Sequence, residues 1–291
     1  MSVHRSSHCK VNLLLNTLGK RTDGFTELET VFLPVPLCDE LSGEREGVGI
    51  QLTCSNLELP IDGTNLVHKA ASAFLKASGI RDGVRLHLEK RLPLAAGLGA
   101  GSANAAQTLV LLNELFGGPL SLECLGSIAA TLGSDVNFFL QPYPALGFGR
   151  GDRIEPLLPF DMLRGCGLFL FHPGFGVPTP WAFSALSTQF PEALNGNPGR
   201  ARGLAETFRT GDQTQAGAAL YNALELPVLR KYPVLWLYQE ELRGAGAWGT
   251  LMSGSGSTTF AIFSSLARAE LAQETFRSHF GNHGWLRVVE L

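Results

Sequence analysis

The chain has 291 residues, a formal net charge of −3 and 45% hydrophobic residues, enough apolar material for two cores and so for two domains. It lacks the clustered Lys and Arg of a nucleic-acid binder, and no apolar run approaches the length of a membrane span. The polar start, residues 1–8, has no signal-peptide core, and five scattered cysteines without C-x-x-C spacing suit reduced thiols; a cytoplasmic location is expected.

In chain order, residues 11–15, 29–35 and 49–53 read as strands, and 65–77 as a helix capped by Thr64. Val84, Leu86 and Leu88 alternate with Arg85, His87 and Glu89, the pattern of a half-buried strand. That strand feeds P-L-A-A-G-L-G-A-G-S-A-N at 93–104, a loop of small residues running into a helix expected over 102–116. A further helix, Leu122–Leu132, ends at Gly133. After about Pro156 the character restarts, with a strand near 168–171 and helices near 180–186, 203–208, 215–224 and 234–242. Strands at 248–252 and 258–263 flank a G-S-G-S turn, before a helix over 266–280 and a last strand over 285–290. Strands and helices mix without regular βαβ alternation, so the class is α+β, with domains expected over 1–160 and 161–291.

The glycine loop carries the first chemical signal. Gly97, Gly99 and Gly101 let the backbone approach a ligand closely, and Ser102 is placed to cap the following helix. Unpartnered amides at a helix start, at the positive end of its dipole, form an anion site suited to phosphate, so a nucleotide ligand is expected. No Lys-Ser or Lys-Thr pair makes it a Walker loop, and Ser102 stands where a dinucleotide fingerprint has its third glycine. Taken alone, such a loop is more often only a tight turn.

Two more segments join it. The first is Cys9-Lys10-Val11-Asn12-Leu13, followed by Arg21-Thr22-Asp23-Gly24-Phe25. The second is Gly133-Ser134-Asp135-Val136-Asn137-Phe138-Phe139, with Ser253-Gly254-Ser255-Gly256-Ser257 as a late echo. In this order and spacing the set resembles the GHMP small-molecule kinases over nearly the whole chain, including His172-Pro173-Gly174 and Val177-Pro178-Thr179. The resemblance implies a ribosomal-protein-S5-like β/α domain followed by a ferredoxin-like α/β plait. It also implies ATP and Mg²⁺ as cofactors, the metal ligands being unknown.

The activity implied is phosphorylation of the 2-hydroxyl of a methylerythritol that carries cytidine diphosphate, in the non-mevalonate route to isoprenoid precursors. Another small alcohol, such as mevalonate or homoserine, or nucleotide binding without turnover, stays open, as does monomer or homodimer. By resemblance, Pro93, Leu94, Ala95, Ala96, Gly97, Leu98, Gly99, Ala100, Gly101, Ser102 and Ala103 hold ATP. Lys10 and Asp135 are catalytic: the aspartate orients the alcohol and takes its proton late in a loose transition state. Asn12, Phe25, Thr26, Thr179 and Phe183 face the substrate, the two phenylalanines stacking on cytosine. Read without the resemblance, Asn12 equally satisfies nearby backbone, and each phenylalanine is more often core. Two departures stand out. Thr26 replaces a histidine that reads the cytosine edge, leaving that readout to backbone groups. Ala95, Ala96, Ala100 and Ala103 replace residues that are usually Gly or Ser, and alanine disfavours positive φ.

Overall fold

The structure, a computed structural model, describes residues 2–291. Two compact units are built from interleaved stretches: Met1–Cys9, Leu37–Leu92 and Gly99–Pro142 in one, Lys10–Pro36, Pro93–Leu98 and Tyr143–Leu291 in the other. Two long strands, β1 (Ser2–Lys20) and β2 (Thr26–Arg45), contribute residues to both. The strand expected at 11–15 lies within β1, and the one expected at 29–35 lies in the first half of β2. Their ends were hidden because Lys10, Asn16, Thr17, Glu29 and Asp39 are buried polar residues, which break the apolar–polar alternation that marks strand limits.

In the first unit, β3 (Ile50–Cys54) runs parallel to β4 (Val84–Glu89), with Leu52 beside Leu86. β4 pairs antiparallel with the second half of β2 and alternates buried and exposed, as its sequence does. Helices α1 (Leu66–Ser78), α2 (Ala100–Leu115) and α3 (Leu122–Leu132) pack on one another. Asn65, not Thr64, caps α1: its side chain accepts from Val67 N at 2.9 Å, while the Thr64 hydroxyl donates to Asp62 Oδ1 at 2.6 Å.

In the second unit, the first half of β2 pairs antiparallel with β5 (Ala145–Gly149), which pairs with β6 (Arg153–Pro156). The sequence did not announce this hairpin, because two glycines in A-L-G-F-G lower strand propensity. Farther on, β7 (Gly167–His172) is wholly buried, α4 spans Thr179–Gln189, α5 spans Arg200–Thr210 and α6 spans Gln213–Ala219. The helix expected over 215–224 stops at Ala219, and the chain enters β8 (Tyr221–Asn222), parallel to β1 at Leu14 and Leu15. Helices α7 (Glu225–Lys231) and α8 (Val234–Gly244) follow. Then come β9 (Gly249–Met252), β10 (Thr259–Phe263), α9 (Leu266–Phe280) and β11 (Trp285–Glu290). The antiparallel sheet has the order β11–β7–β10–β9, the ferredoxin-like plait that was expected. Its core is aromatic: Phe171 and Phe276 lie 4.8 Å apart, and Phe169 and Phe276 5.2 Å apart, edge to face.

Candidate active site

Lys10 is 3% exposed, on β1, and its ammonium is held on several sides. Nζ donates to Asn12 Oδ1 and, at 3.3 Å, to the Gly97 carbonyl, with the Phe32 ring centroid 5.5 Å away. Asn12 stands two residues along the strand, on the same face, and its Nδ2 donates to Thr30 Oγ1 at 2.8 Å. The Thr30 hydroxyl in turn donates to Leu14 O. A buried ammonium needs such partners, and the chain of bonds fixes where its charge sits.

The first half of the glycine loop lies in the same unit and is laced to the G-S-G-S turn. Thr258 N donates to Ala96 O at 3.3 Å, and Ser253 Oγ to Gly97 O at 2.9 Å. Gly97 has φ +78°, and a Cβ there would fall 2.1 Å from Ser253 O. Gly254 has φ +57°, and a Cβ there would come 3.0 Å from Gly97 O and 3.5 Å from Lys10 Nζ. The turn therefore sits directly over the lysine.

Two residues that sequence reasoning passed over hold that turn from behind. Asn222 Nδ2 donates to Met252 O at 2.8 Å and to Gly254 O at 2.7 Å, while its Oδ1 accepts from Leu224 N at 3.0 Å. Glu225 Oε1 accepts from Met252 N at 2.7 Å and from Gln239 Nε2 at 2.6 Å. Burial pushes the Glu225 carboxyl above its ordinary range, against those two donors, which favour the carboxylate. The only hint in the sequence was that 220–224 carries an asparagine inside an otherwise helical pattern.

In the other unit, the second half of the loop opens α2. Gly99, at φ +69°, occupies the cap position, and no side chain closes the helix start. The amides of Ala100, Gly101 and Ser102 thus begin a helix without intrahelical acceptors. Ser102 does not cap, contrary to expectation: the left-handed Gly99 starts the helix at Ala100, which places Ser102 within the first turn. Its Oγ lies 4.0 Å from where a Cβ on Gly133 would stand, so the helix start adjoins the Gly133-Ser134-Asp135 segment. Asp135 is half-buried in the turn closed by Val136 N on Gly133 O at 3.2 Å. The short 3₁₀ helix Asn137–Leu140 behind it has Val136, not Asp135, at its cap position.

Among the expected substrate residues, Phe25 is 51% exposed at the tip of the turn between β1 and β2. The Arg150 guanidinium lies 4.8 Å over its ring, held by Asp152 Oδ2 at 2.8 Å. Sequence reasoning missed Arg150. Thr26 is buried at the start of β2. Phe183 is half-buried and packs against the aromatic core of the plait; among the described residues it makes no ring contact with Phe25. Thr179 opens α4, and its hydroxyl meets Ser255 Oγ at 2.9 Å, tying it to the G-S-G-S turn.

A model of the N-terminal domain of GHMP kinases matches residues 65–141, and one of their C-terminal domain matches 204–282. The 4-diphosphocytidyl-2-C-methyl-D-erythritol kinase of Synechococcus sp. (strain JA-3-3Ab) is 38% identical over 94% of this chain and 89% of its own. The chain belongs to the GHMP kinases. Another relative of this GHMP kinase, the enzyme of that same name from Pelotomaculum thermopropionicum, is 38% identical over 95% of this chain and 94% of its own. A crystal structure of 4-(cytidine 5'-diphospho)-2C-methyl-D-erythritol kinase superposes with a TM-score of 0.80 at 34% identity, covering 99% of this chain and 100% of that one. Homoserine kinase from Cytophaga hutchinsonii, at 21% identity and a TM-score of 0.76, shares the GHMP kinase fold.

Proposed function

We propose that this GHMP kinase transfers the γ-phosphoryl group of ATP to the 2-hydroxyl of 4-diphosphocytidyl-2-C-methyl-D-erythritol, in the non-mevalonate route to isoprenoid precursors. The observation that carries the reading is the meeting of the open α2 start with the Asp135 turn. Helix-start amides suited to phosphate, adjoining the segment that carries Asp135, support it. The naming of the relatives supports the same alcohol. Residues 93–103 are assigned to the ATP phosphates, and Asp135 to the attacking hydroxyl, which it aligns and then deprotonates late. Lys10 supplies fixed positive charge for the oxygens that gain charge in transfer. Asn12 keeps that ammonium in place, while Phe25 offers an exposed ring face for cytosine stacking. Thr26, Thr179 and Phe183 are assigned to the same substrate, with Thr179 acting through Ser255. The family segments at 65–141 and 204–282 fall on either side of residue 160, which supports domains over 1–160 and 161–291.

Mg²⁺ is assigned to the nucleotide. Among the described residues no group of three or more His, Cys, Asp or Glu side chains is placed to hold a metal, so phosphates would supply most of its ligands. Ser102 and Asp135 are the oxygen donors this chain would add, and the ion would neutralise charge on the phosphate oxygens. Among the described residues no helix is long and apolar enough to cross a membrane. The enzyme is assigned to the cytoplasm, as a monomer or homodimer acting on a small molecule.

The test is ADP release by the purified chain with ATP and each of three alcohols: the cytidyl-diphospho compound, mevalonate and homoserine. Turnover with the first alone is expected. Faster turnover of either other alcohol would move the assignment within the family, and ATP binding without turnover of any would defeat it.

A further inference from the structure

We propose that Asp39, far from the glycine loop in sequence, is the positioning residue that fixes the geometry of that loop for ATP. Its carboxylate is fully buried. Oδ1 accepts from the amides of Arg91 at 2.8 Å and Leu92 at 2.9 Å, the last residues before the loop begins at Pro93. Oδ2 accepts from Asn104 Nδ2 at 3.0 Å, the first residue after the loop ends at Ala103, and from Lys90 Nζ. Asn104 Nδ2 also donates to Ser7 Oγ at 2.9 Å, which anchors the group to β1. One carboxylate therefore grips both ends of the loop.

The chemistry explains why a charge is buried there. Two neighbouring main-chain amides, a side-chain amide and the Lys90 ammonium converge on one place, and four donors are best satisfied by a group with two acceptor oxygens. The Lys90 ammonium, with its side chain 3% exposed, balances the charge that burial would otherwise penalise. Fixing the ends removes freedom from the loop before the nucleotide arrives, and so pre-orients the amides at the start of α2. Stability alone would be served as well by an apolar replacement of the pair.

The inference rests on the assignment of 93–103 to ATP, and the experiment separates the two. Asp39→Ala combined with Lys90→Met removes the grip without leaving a lone buried charge; Asp39→Asn combined with Lys90→Met keeps an oxygen for the two amides. For the first pair we expect KM for ATP to rise about tenfold or more, in keeping with a misplaced binding group, while KM for the alcohol stays within about twofold. The second pair should recover most of the ATP affinity. Wild-type KM for ATP in the first pair, or an equal rise in both KM values, would overturn the role of Asp39. Should that pair not fold, Asn104→Ala cuts the helix-side bond, with the one to Ser7, and leaves the Arg91 and Leu92 amides held; there an ATP KM raised about threefold supports the role and an unchanged one refutes it. Failure of wild-type protein to bind or turn over ATP would instead defeat the site assignment itself.

Discussion

Asp135 bears the sharpest consequence of any single side chain. It is half-buried in a turn whose following helix is capped by another residue, and its segment adjoins the Ser102 hydroxyl at Gly133. Asp135→Asn preserves size and most hydrogen bonds but removes the base, and kcat should fall by ~10²–10⁴ with the melting temperature little changed. Steady-state kinetics beside a thermal melt checks this, and near-normal turnover would refute the assignment. Ala95 makes the opposite kind of statement, about strain. Its φ of +49° is the one left-handed non-glycine backbone among the described residues. Relief of that conformation by Ala95→Gly is worth about 1–2 kcal/mol, and the added freedom of the unfolded chain takes back about 0.4–1. The variant should therefore melt slightly higher than wild type, and a lower melting temperature would show the alanine methyl to be held by its contact with Gly176.

The G-S-G-S turn is the element on which Lys10 depends, and Asn222 is what holds it. Asn222→Leu would leave the Met252 and Gly254 carbonyls buried without donors, at about 1–3 kcal/mol each. Unfolding in urea should show a loss of roughly 3 kcal/mol, and activity should fall with it. A loss under about 1 kcal/mol would mean that the turn keeps its shape by its own bonds. Elements such as β4, α3, α9 and β11 were legible in the sequence because periodicity and caps agree there. β1 and β2 outran their reading because buried polar groups such as Lys10, Asn12 and Asp39 interrupt the pattern. The loops and Asp135 were visible as ordered motifs. Arg150, Asn222 and Glu225 were not, since each acquires its meaning from a partner distant in the chain.

The stability of the whole molecule should carry the mark of two buried titratable groups with opposite signs. His172, at the end of β7, is 5% exposed, and its Nδ1 lies 3.2 Å from Ser257 Oγ. Ser257 spends its own proton on Phe175 O, so the ring is the donor, a neutral imidazole protonated at Nδ1. Burial holds His172 below its ordinary value of 6.5. A depressed value means its contribution to stability is complete above about pH 6.5 and is lost as pH falls through the folded-state value. Burial raises Glu225 above 4.5, so its contribution is complete below that pH and is lost as pH rises through the folded-state value. Differences between variant and wild type cancel every other titrating group. His172→Gln should therefore lose less stability than wild type on going from pH 7 to pH 5. Glu225→Gln keeps an acceptor for Met252 N, and it should gain on wild type as pH rises from 4 to 7. Melting curves across that range decide both, and parallel pH profiles for either variant and wild type would show that its group titrates alike in the folded and unfolded chain.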